Sequence, residues 1–245
     1  MLGGKHDIAM RLAGEPDFRW RGEGVTRLEG FSDAVFAFAL TLLVVSLEVP
    51  KTYGELMAAM RGFGAFGICF ALLVDVWFNH YRYFRRYGLQ DSWSVLLNCV
   101  LLFFVLFYVY PLKFLFVLLL SGAASIEAEQ VRTLFIIYGL GYAAVFLVFA
   151  LMYRHAWRKR EMFDLNAIEL LKTRHSMIDH IAMVIVGLVS ALLAFSLPAN
   201  LVGIAGYFYF VIGIYYTTSG ILFGKRYRLL AQAAGEPLPP SDSSE

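Results

Sequence analysis

Arg27-Leu28-Glu29-Gly30-Phe31-Ser32-Asp33-Ala34-Val35-Phe36-Ala37-Phe38-Ala39-Leu40-Thr41-Leu42-Leu43-Val44 decides how this chain is read. A basic residue and the triplet Phe31-Ser32-Asp33 open a stretch that stays predominantly apolar to Pro50. A carboxylate on a helix of membrane length is expensive, so Asp33 demands a partner and a purpose. The rest of the chain agrees with a membrane setting. Of 245 residues, 59% are hydrophobic and 16% charged, with mean hydropathy +0.63. That is the balance of a multi-pass membrane protein, not of a soluble domain.

A spanning helix needs about 20 mostly apolar residues. Six stretches qualify: Phe31–Pro50, Gly62–Tyr81, Ser94–Leu120, Thr133–Tyr153, Ile178–Leu197 and Leu201–Gly224. The fold class expected is an all-α membrane protein of six transmembrane helices, occupying residues 27–228. A cytoplasmic segment, 1–26, precedes them, and a Pro-rich, disordered cytoplasmic tail, 229–245, follows. Pro111 and Lys113 interrupt the third span, which leaves a tilt, a kink or an early exit open. Pro198-Ala199-Asn200 is short enough to make the fifth and sixth spans a tight hairpin. Residues 1–26 hold no apolar run of the kind a signal peptide requires. Cys69 and Cys99 lie in apolar runs and read as buried thiols without a disulfide framework.

Lys and Arg orient the spans. Under this topology seventeen of them fall on one side and four, Lys51, Arg61, Lys113 and Arg132, on the other. Both termini are therefore expected in the cytoplasm. The same topology gathers polar residues in one leaflet: Arg27, Ser32 and Asp33 on the first helix, Asp75, Trp77, Asn79 and His80 on the second. Trp93 and Asn98 on the third and His175, Asp179 and His180 on the fifth join them. Asp33 can be an ion-binding carboxylate or a clamp between helices. At ~100° per residue, Phe31, Ala34, Val35, Phe38, Thr41, Leu42, Val45 and Val49 share one face, with Asp33 nearly opposite. That geometry favours the clamp, whose loss in Asp33→Ala would damage folding or assembly before ion preference. Asp75 reads more readily as a packing partner or surface acid than as an ion ligand.

Arg27-x-x-x-Phe31-Ser32-Asp33 with the apolar run behind it resembles the bacterial branch of the transmembrane protein 175 family, relatives of the endosomal and lysosomal potassium channel. Trp77-Phe78-Asn79-His80-Tyr81-Arg82 with Phe84-Arg85-Arg86, and Leu97-Asn98 through Phe103-Phe104-Val105 to Pro111, resemble the family's second and third helices. The likeness is strong over about residues 27–120. It implies a homotetramer in the plasma (inner) membrane of a bacterium, with four copies of the first helix around a central pore. It also implies a constriction of apolar side chains at Phe38, Leu42 and Val45, with the Thr41 hydroxyl beside them. Arg27, Phe31, Ser32, Asp33, Trp77 and His80 would form the family's structural network. Phe38 stands where a smaller aliphatic residue is usual in the family, and Val45 where Leu is common.

No Thr-Val-Gly-Tyr-Gly carbonyl filter occurs, and no span carries Arg at every third position as a voltage sensor does. The function expected is a modestly potassium-selective leak channel, with no cofactor beyond the permeant ion. A secondary cation transporter, which needs polar groups near the midplane, and a non-conducting membrane scaffold are the alternatives. Neither an HExxH sequence nor a phosphate loop supports an enzyme. Gly206, Gly213 and Gly220 at spacing seven read as a helix-packing stripe. His175 and His180 are spaced wrongly for one helical face and read as interfacial or capping groups rather than metal ligands. The tyrosines of the sixth span read as interface anchors, and the basic linker 154–174 as lying on the anionic inner leaflet.

Overall fold

The computed structural model describes residues 15, 17–22, 24–45, 51–121 and 128–234. Six long helices carry it: α1 (Arg27–Val45), α2 (Tyr53–Tyr87), α3 (Ser92–Ser121), α4 (Ala128–Arg158), α5 (Ala167–Ser196) and α6 (Val211–Ala234). Short helical turns at Ala199–Leu201, Ile204–Tyr207 and Phe208–Phe210 lead into α6, so Pro198-Ala199-Asn200 does make the tight α5–α6 connection. The chain is a multi-pass membrane protein. By length and composition alone, α3, α4 and α5 are apolar enough to cross a bilayer. Helices α2, α3 and α4 outrun the expected spans at both ends, α1 and α5 begin earlier than expected, and α6 begins later and ends later. The reason is that charged turns such as Tyr81–Tyr87 are helical without being apolar. Helix α3 continues through Pro111, whose carbonyl accepts a hydrogen bond from the Tyr138 hydroxyl. Helix α6 extends to Ala234, so residues 229–234 of the expected tail are helical; residues 235–245 and Ser46–Pro50 lie outside the described residues.

Local sequence explains where several helices start. Thr26 and Glu29 form a capping box, Thr26 N–H donating to Glu29 Oε2 (2.9 Å) and Glu29 N–H to Thr26 Oγ1 (3.2 Å). Asn166 and Glu169 repeat the device at α5, and Asp91 caps α3 by accepting from Ser94 N–H at 3.0 Å.

Helices α4 and α5 make the closest pairing. Gly139 and Ala143 on α4 meet Gly187 and Ala191 on α5, a small residue every fourth position on each helix. A Cβ on Gly187 would sit 2.7 Å from the Gly139 carbonyl oxygen, and one on Gly139 2.6 Å from that of Gly187. Backbone touches backbone here, and only glycine permits it. The glycine stripe of the sixth span behaves differently. Gly213 and Gly220 face open space, and only Gly206 is crowded, by the Phe135 ring.

The N-terminal segment is tied to the end of α2 and the start of α5. Glu169 is fully buried and holds Arg19 and Arg21 at 3.1 and 3.0 Å. Arg86 grips Glu15 with two nitrogens, at 2.9 and 2.6 Å. Burial would raise the Glu15 pKa, but the Arg86 guanidinium, with Arg82 and Lys172 nearby, outweighs burial and lowers it. The Gly22 N–H donates to the Arg85 carbonyl, and a Cβ on Gly22 would lie 2.8 Å from the Phe84 carbonyl oxygen.

Asp91 joins the α2–α3 turn to the end of α4 through His155 (2.8 Å) and Lys159 (2.5 Å). Burial alone would raise its pKa; Lys159, Ser94 and His155 outweigh it and hold the carboxyl well below the usual carboxylate range. A folded pKa below the unfolded value of about 3.9 contributes stability above that pH and loses it as pH falls toward the folded value. The stability gap between wild type and Asp91→Asn, measured by thermal unfolding in detergent, is therefore expected to be constant above about pH 5 and to shrink below about pH 4. Gly187→Leu is expected to cost about 1–3 kcal/mol in the same assay. Gly213→Ala, whose Cβ meets nothing, is neutral or stabilising.

Candidate functional site: the first helix and its anchors

One stripe of α1 is buried against the bundle: Glu29, Ser32, Phe36, Ala39 and Leu43. These positions recur every three or four residues, the spacing of a single helical face. The opposite arc is uncovered. Phe31 is 58% and Phe38 57% exposed, and Arg27, Ala34, Ala37 and Thr41 are exposed with them. Val35 and Leu42 sit at the margin, partly covered by the core. The Thr41 hydroxyl donates to the Phe38 carbonyl at 2.7 Å, turned back on its own helix. Val45 ends the helix, and its side chain lies outside what the structure describes.

A buried relay of side chains fixes which stripe faces in. Ser32 Oγ donates to the Leu28 carbonyl (2.8 Å) and accepts from Asn98 Nδ2 (2.9 Å). Asn98 Oδ1 lies 2.8 Å from His80 Nε2. All three side chains are essentially buried, at 0, 0 and 1% exposure. Since the Asn98 amide oxygen can only accept, His80 carries its proton on Nε2. The His80 ring is packed between Phe36 and Phe84, at 5.6 and 4.6 Å. The relay thus spans α1, α3 and α2, and pairs Ser32 Oγ, both polar atoms of the Asn98 amide and His80 Nε2 away from hydrocarbon.

Asp33 makes a second, outer tie. Its Oδ1 accepts from the Trp77 indole at 2.8 Å, and Trp77 is stacked on Tyr81. The bond sits at an exposed edge, whereas the Ser32 relay is interior. At the far end of α1, Lys113 Nζ donates to the Leu43 carbonyl at 2.8 Å. A cation at a helix C-terminus meets the negative end of the macrodipole.

Of the network expected from sequence, the structure brings Ser32 and His80 together through Asn98, and Asp33 and Trp77 together directly. Phe31 points away on the uncovered arc. Arg27 is exposed and makes no hydrogen bond or ion pair among the described residues. Asn98 and Lys113 are the members that sequence reasoning left out of the network. An amide and an ammonium inside an apolar span were the available signals. Cys69 is buried as expected, but Cys99, one residue past Asn98, is exposed because α3 turns that face outward. His175 pairs with Asp179 (3.3 Å) and stacks on Phe223, while His180 sits among Phe146, Phe149 and Tyr153. The two histidines therefore serve separate neighbourhoods.

A family model described as the endosomal/lysosomal potassium channel TMEM175 matches residues 27–108, the stretch that holds the whole Ser32–Asn98–His80 relay. A protein of Marivirga tractuosa named as a potassium channel is 40% identical over 227 residues, covering 86% of this chain and 90% of the relative. The chain belongs to the TMEM175 family. The crystal structure of a variant of the potassium channel MtTMEM175, in complex with a nanobody–MBP fusion, superposes with a TM-score of 0.75 at 39% identity. That match covers 86% of this chain and 96% of the other. The lysosomal potassium-selective channel TMEM175 homolog from Chamaesiphon minutus gives a TM-score of 0.56 at 26% identity, over 78% of this chain and 95% of that one. Likeness across this much of the chain includes the α4–α6 half, where the family model does not reach.

In this TMEM175 chain, Asn98→Leu strands the His80 ring in an apolar site and is expected to cost about 1–3 kcal/mol. Asp33→Ala, at an exposed edge, costs less than about 1 kcal/mol and frees the Trp77 indole. Thermal unfolding in detergent ranks the two, and indole fluorescence reports the release of Trp77. A larger loss in Asp33→Ala than in Asn98→Leu would show that the outer tie, not the relay, holds α1.

Proposed function

We propose that this chain is a potassium channel, a modestly selective leak pathway built by four copies around their α1 helices. It would sit in the plasma membrane of a bacterium with both termini in the cytoplasm. The observation that carries the reading is the division of α1. Its inner stripe is locked by the Ser32–Asn98–His80 relay, while the arc through Phe31, Ala34, Phe38 and Thr41 is uncovered on a chain 40% identical to a potassium channel over nearly its whole length. Copies meeting on that arc would enclose a passage lined by Phe38, Leu42 and Val45, with Thr41 beside them.

An apolar ring that is narrow enough expels water, and a dry ring carries no ions. Widening the ring lets water and cations through. Potassium sheds water more readily than sodium, so partial dehydration at the ring favours potassium without a carbonyl filter. The basic residues on the cytoplasmic side support the orientation. Channel flux also distinguishes this reading from a secondary transporter, because it needs no coupling ion.

The protein reconstituted in liposomes with opposed potassium and sodium gradients is expected to give a reversal potential displaced toward the potassium equilibrium potential. A reversal potential midway between the two, or flux that stops when a coupling ion is withdrawn, would overturn the proposal. Phe38→Ala and Leu42→Ala are each expected to raise the resting potassium flux several-fold at unchanged protein yield. Unchanged flux in both would remove these side chains from the constriction.

A further inference from the structure

Where α2 and α4 diverge, the subunit carries a partly open cavity of about 110 Å³, with Leu72 and Asp75 exposed at its rim. It runs along α2 from Cys69 to Val76, close to two turns, with Leu43 of α1, Tyr108 of α3, and Tyr142 and Phe146 of α4 on its other walls. Apart from one group, the lining is apolar or has its polar atoms engaged elsewhere. The Tyr108 hydroxyl donates to the Tyr138 carbonyl (2.9 Å) and the Tyr142 hydroxyl to Met183 Sδ (3.3 Å). The exception is Asp75. Its carboxylate lines the cavity, and the contact it makes is with Asn79 Nδ2 on its own helix, at 3.3 Å. No cationic side chain reaches it within 4.0 Å among the described residues. The Asp75 side chain is exposed at the mouth of the cavity, and Arg82 acts on it only from farther off; a carboxylate inside a spanning segment with no ion pair is a default candidate for a functional site.

The shape and chemistry narrow the occupant. A bare metal cation needs several oxygen ligands, and this cavity offers one carboxylate. A purely apolar guest would leave the Asp75 charge without an ion-pair partner. A small organic ammonium meets both demands: its charge pairs with Asp75, and its hydrocarbon body replaces empty space against Leu43, Leu73 and Val145. The aromatic walls at Tyr108, Tyr142 and Phe146 add favourable faces for a cation. An engineered apolar cavity of about 150 Å³ accommodates benzene; by the same scale this cavity of about 110 Å³ takes a guest of about four to five heavy atoms.

We infer that the α1–α4 cavity is a binding site for small alkylammonium ions, with Asp75 as the counter-ion. The site lies within one subunit, behind the wall of α1 that carries Leu43, so it is independent of whether four copies form a pore. Occupancy stabilises the α1–α2–α4 contact and raises the unfolding temperature as ligand concentration increases.

The test uses the full chain in detergent at pH 7, with n-butylammonium chloride as probe and 1-butanol as its uncharged counterpart. Thermal unfolding and ligand-observed NMR are the readouts, and each variant's own unliganded midpoint is the baseline. Wild type is expected to show a saturable upward shift with n-butylammonium, at least several-fold tighter than with 1-butanol. Asp75→Asn keeps the volume and removes the charge, and is expected to abolish that preference while retaining the butanol shift. Val145→Phe fills the cavity and is expected to lose both. Absence of a saturable shift in wild type, or an equal n-butylammonium affinity in Asp75→Asn, overturns the inference. If Val145→Phe fails to fold, tetraethylammonium serves the same purpose on wild type: it is too bulky for the cavity, and saturable binding equal to that of n-butylammonium would place the ammonium site elsewhere.

Discussion

A helix left open on one side must be gripped hard on the other, and in this chain the grip is a run of three buried hydrogen-bonding side chains. Ser32, Asn98 and His80 satisfy one another across α1, α3 and α2. Rolling α1 by one residue, ~100°, would carry Ser32 off Asn98 and put Asp33 or Phe31 against the bundle. In hydrocarbon each stranded polar group costs several kcal/mol, so the roll is strongly opposed. The uncovered face of α1 is thus set less by its own apolar residues, which encircle most of the helix, than by the single serine that has to face inward.

Much of this was legible in the sequence, and the reasons are physical. A 20-residue apolar run is visible in composition, so the six helices and their order were readable. Ser32, Asp33, Trp77 and His80 stood out because polar groups in such runs are rare. Which of them touch was a matter of depth and rotation, and there the sequence reading was incomplete. Arg27 and Phe31 lie beside Ser32 in the chain, yet helical geometry turns them to the far side. Asn98 was noticed as polar but not as the go-between, because its role depends on the height of α3 relative to α1 and α2. The glycines show the same limit. Spacing alone marked Gly206, Gly213 and Gly220, whereas the close approach belongs to Gly139 and Gly187, each followed four positions later by alanine. A small residue matters only on the face that finds a neighbour.

Charge gave a topological signal whose local meaning was hidden. Counting Lys and Arg separates the two sides of the membrane, but the count treats every basic residue as facing lipid or water. Arg19, Arg21 and Arg86 are instead committed to Glu169 and Glu15, and Lys159 to Asp91. These pairs stitch the segment before α1 to α2 and α5, and the α2–α3 turn to α4. The entry of α1 is therefore anchored through Gly22 and Arg85, so the capping box at Thr26 starts the helix from a fixed point.

The two anchors of α1 constrain how it can move. In its N-terminal half the helix is bonded to Asn98, and at its other end the Leu43 carbonyl receives Lys113. Asn98 and Lys113 both belong to α3, fifteen positions apart, or about 22 Å along a helix. Any motion that displaces α1 alone must break a hydrogen bond at each end, and the interior one has no water to replace it. A motion in which α1 and α3 travel together spares both, but it must carry α2 along or break the Asn98–His80 and Asp33–Trp77 bonds. The helix with the open face is held to α3 at both ends and to α2 through His80 and Trp77, so that face keeps its direction only while the three helices move together.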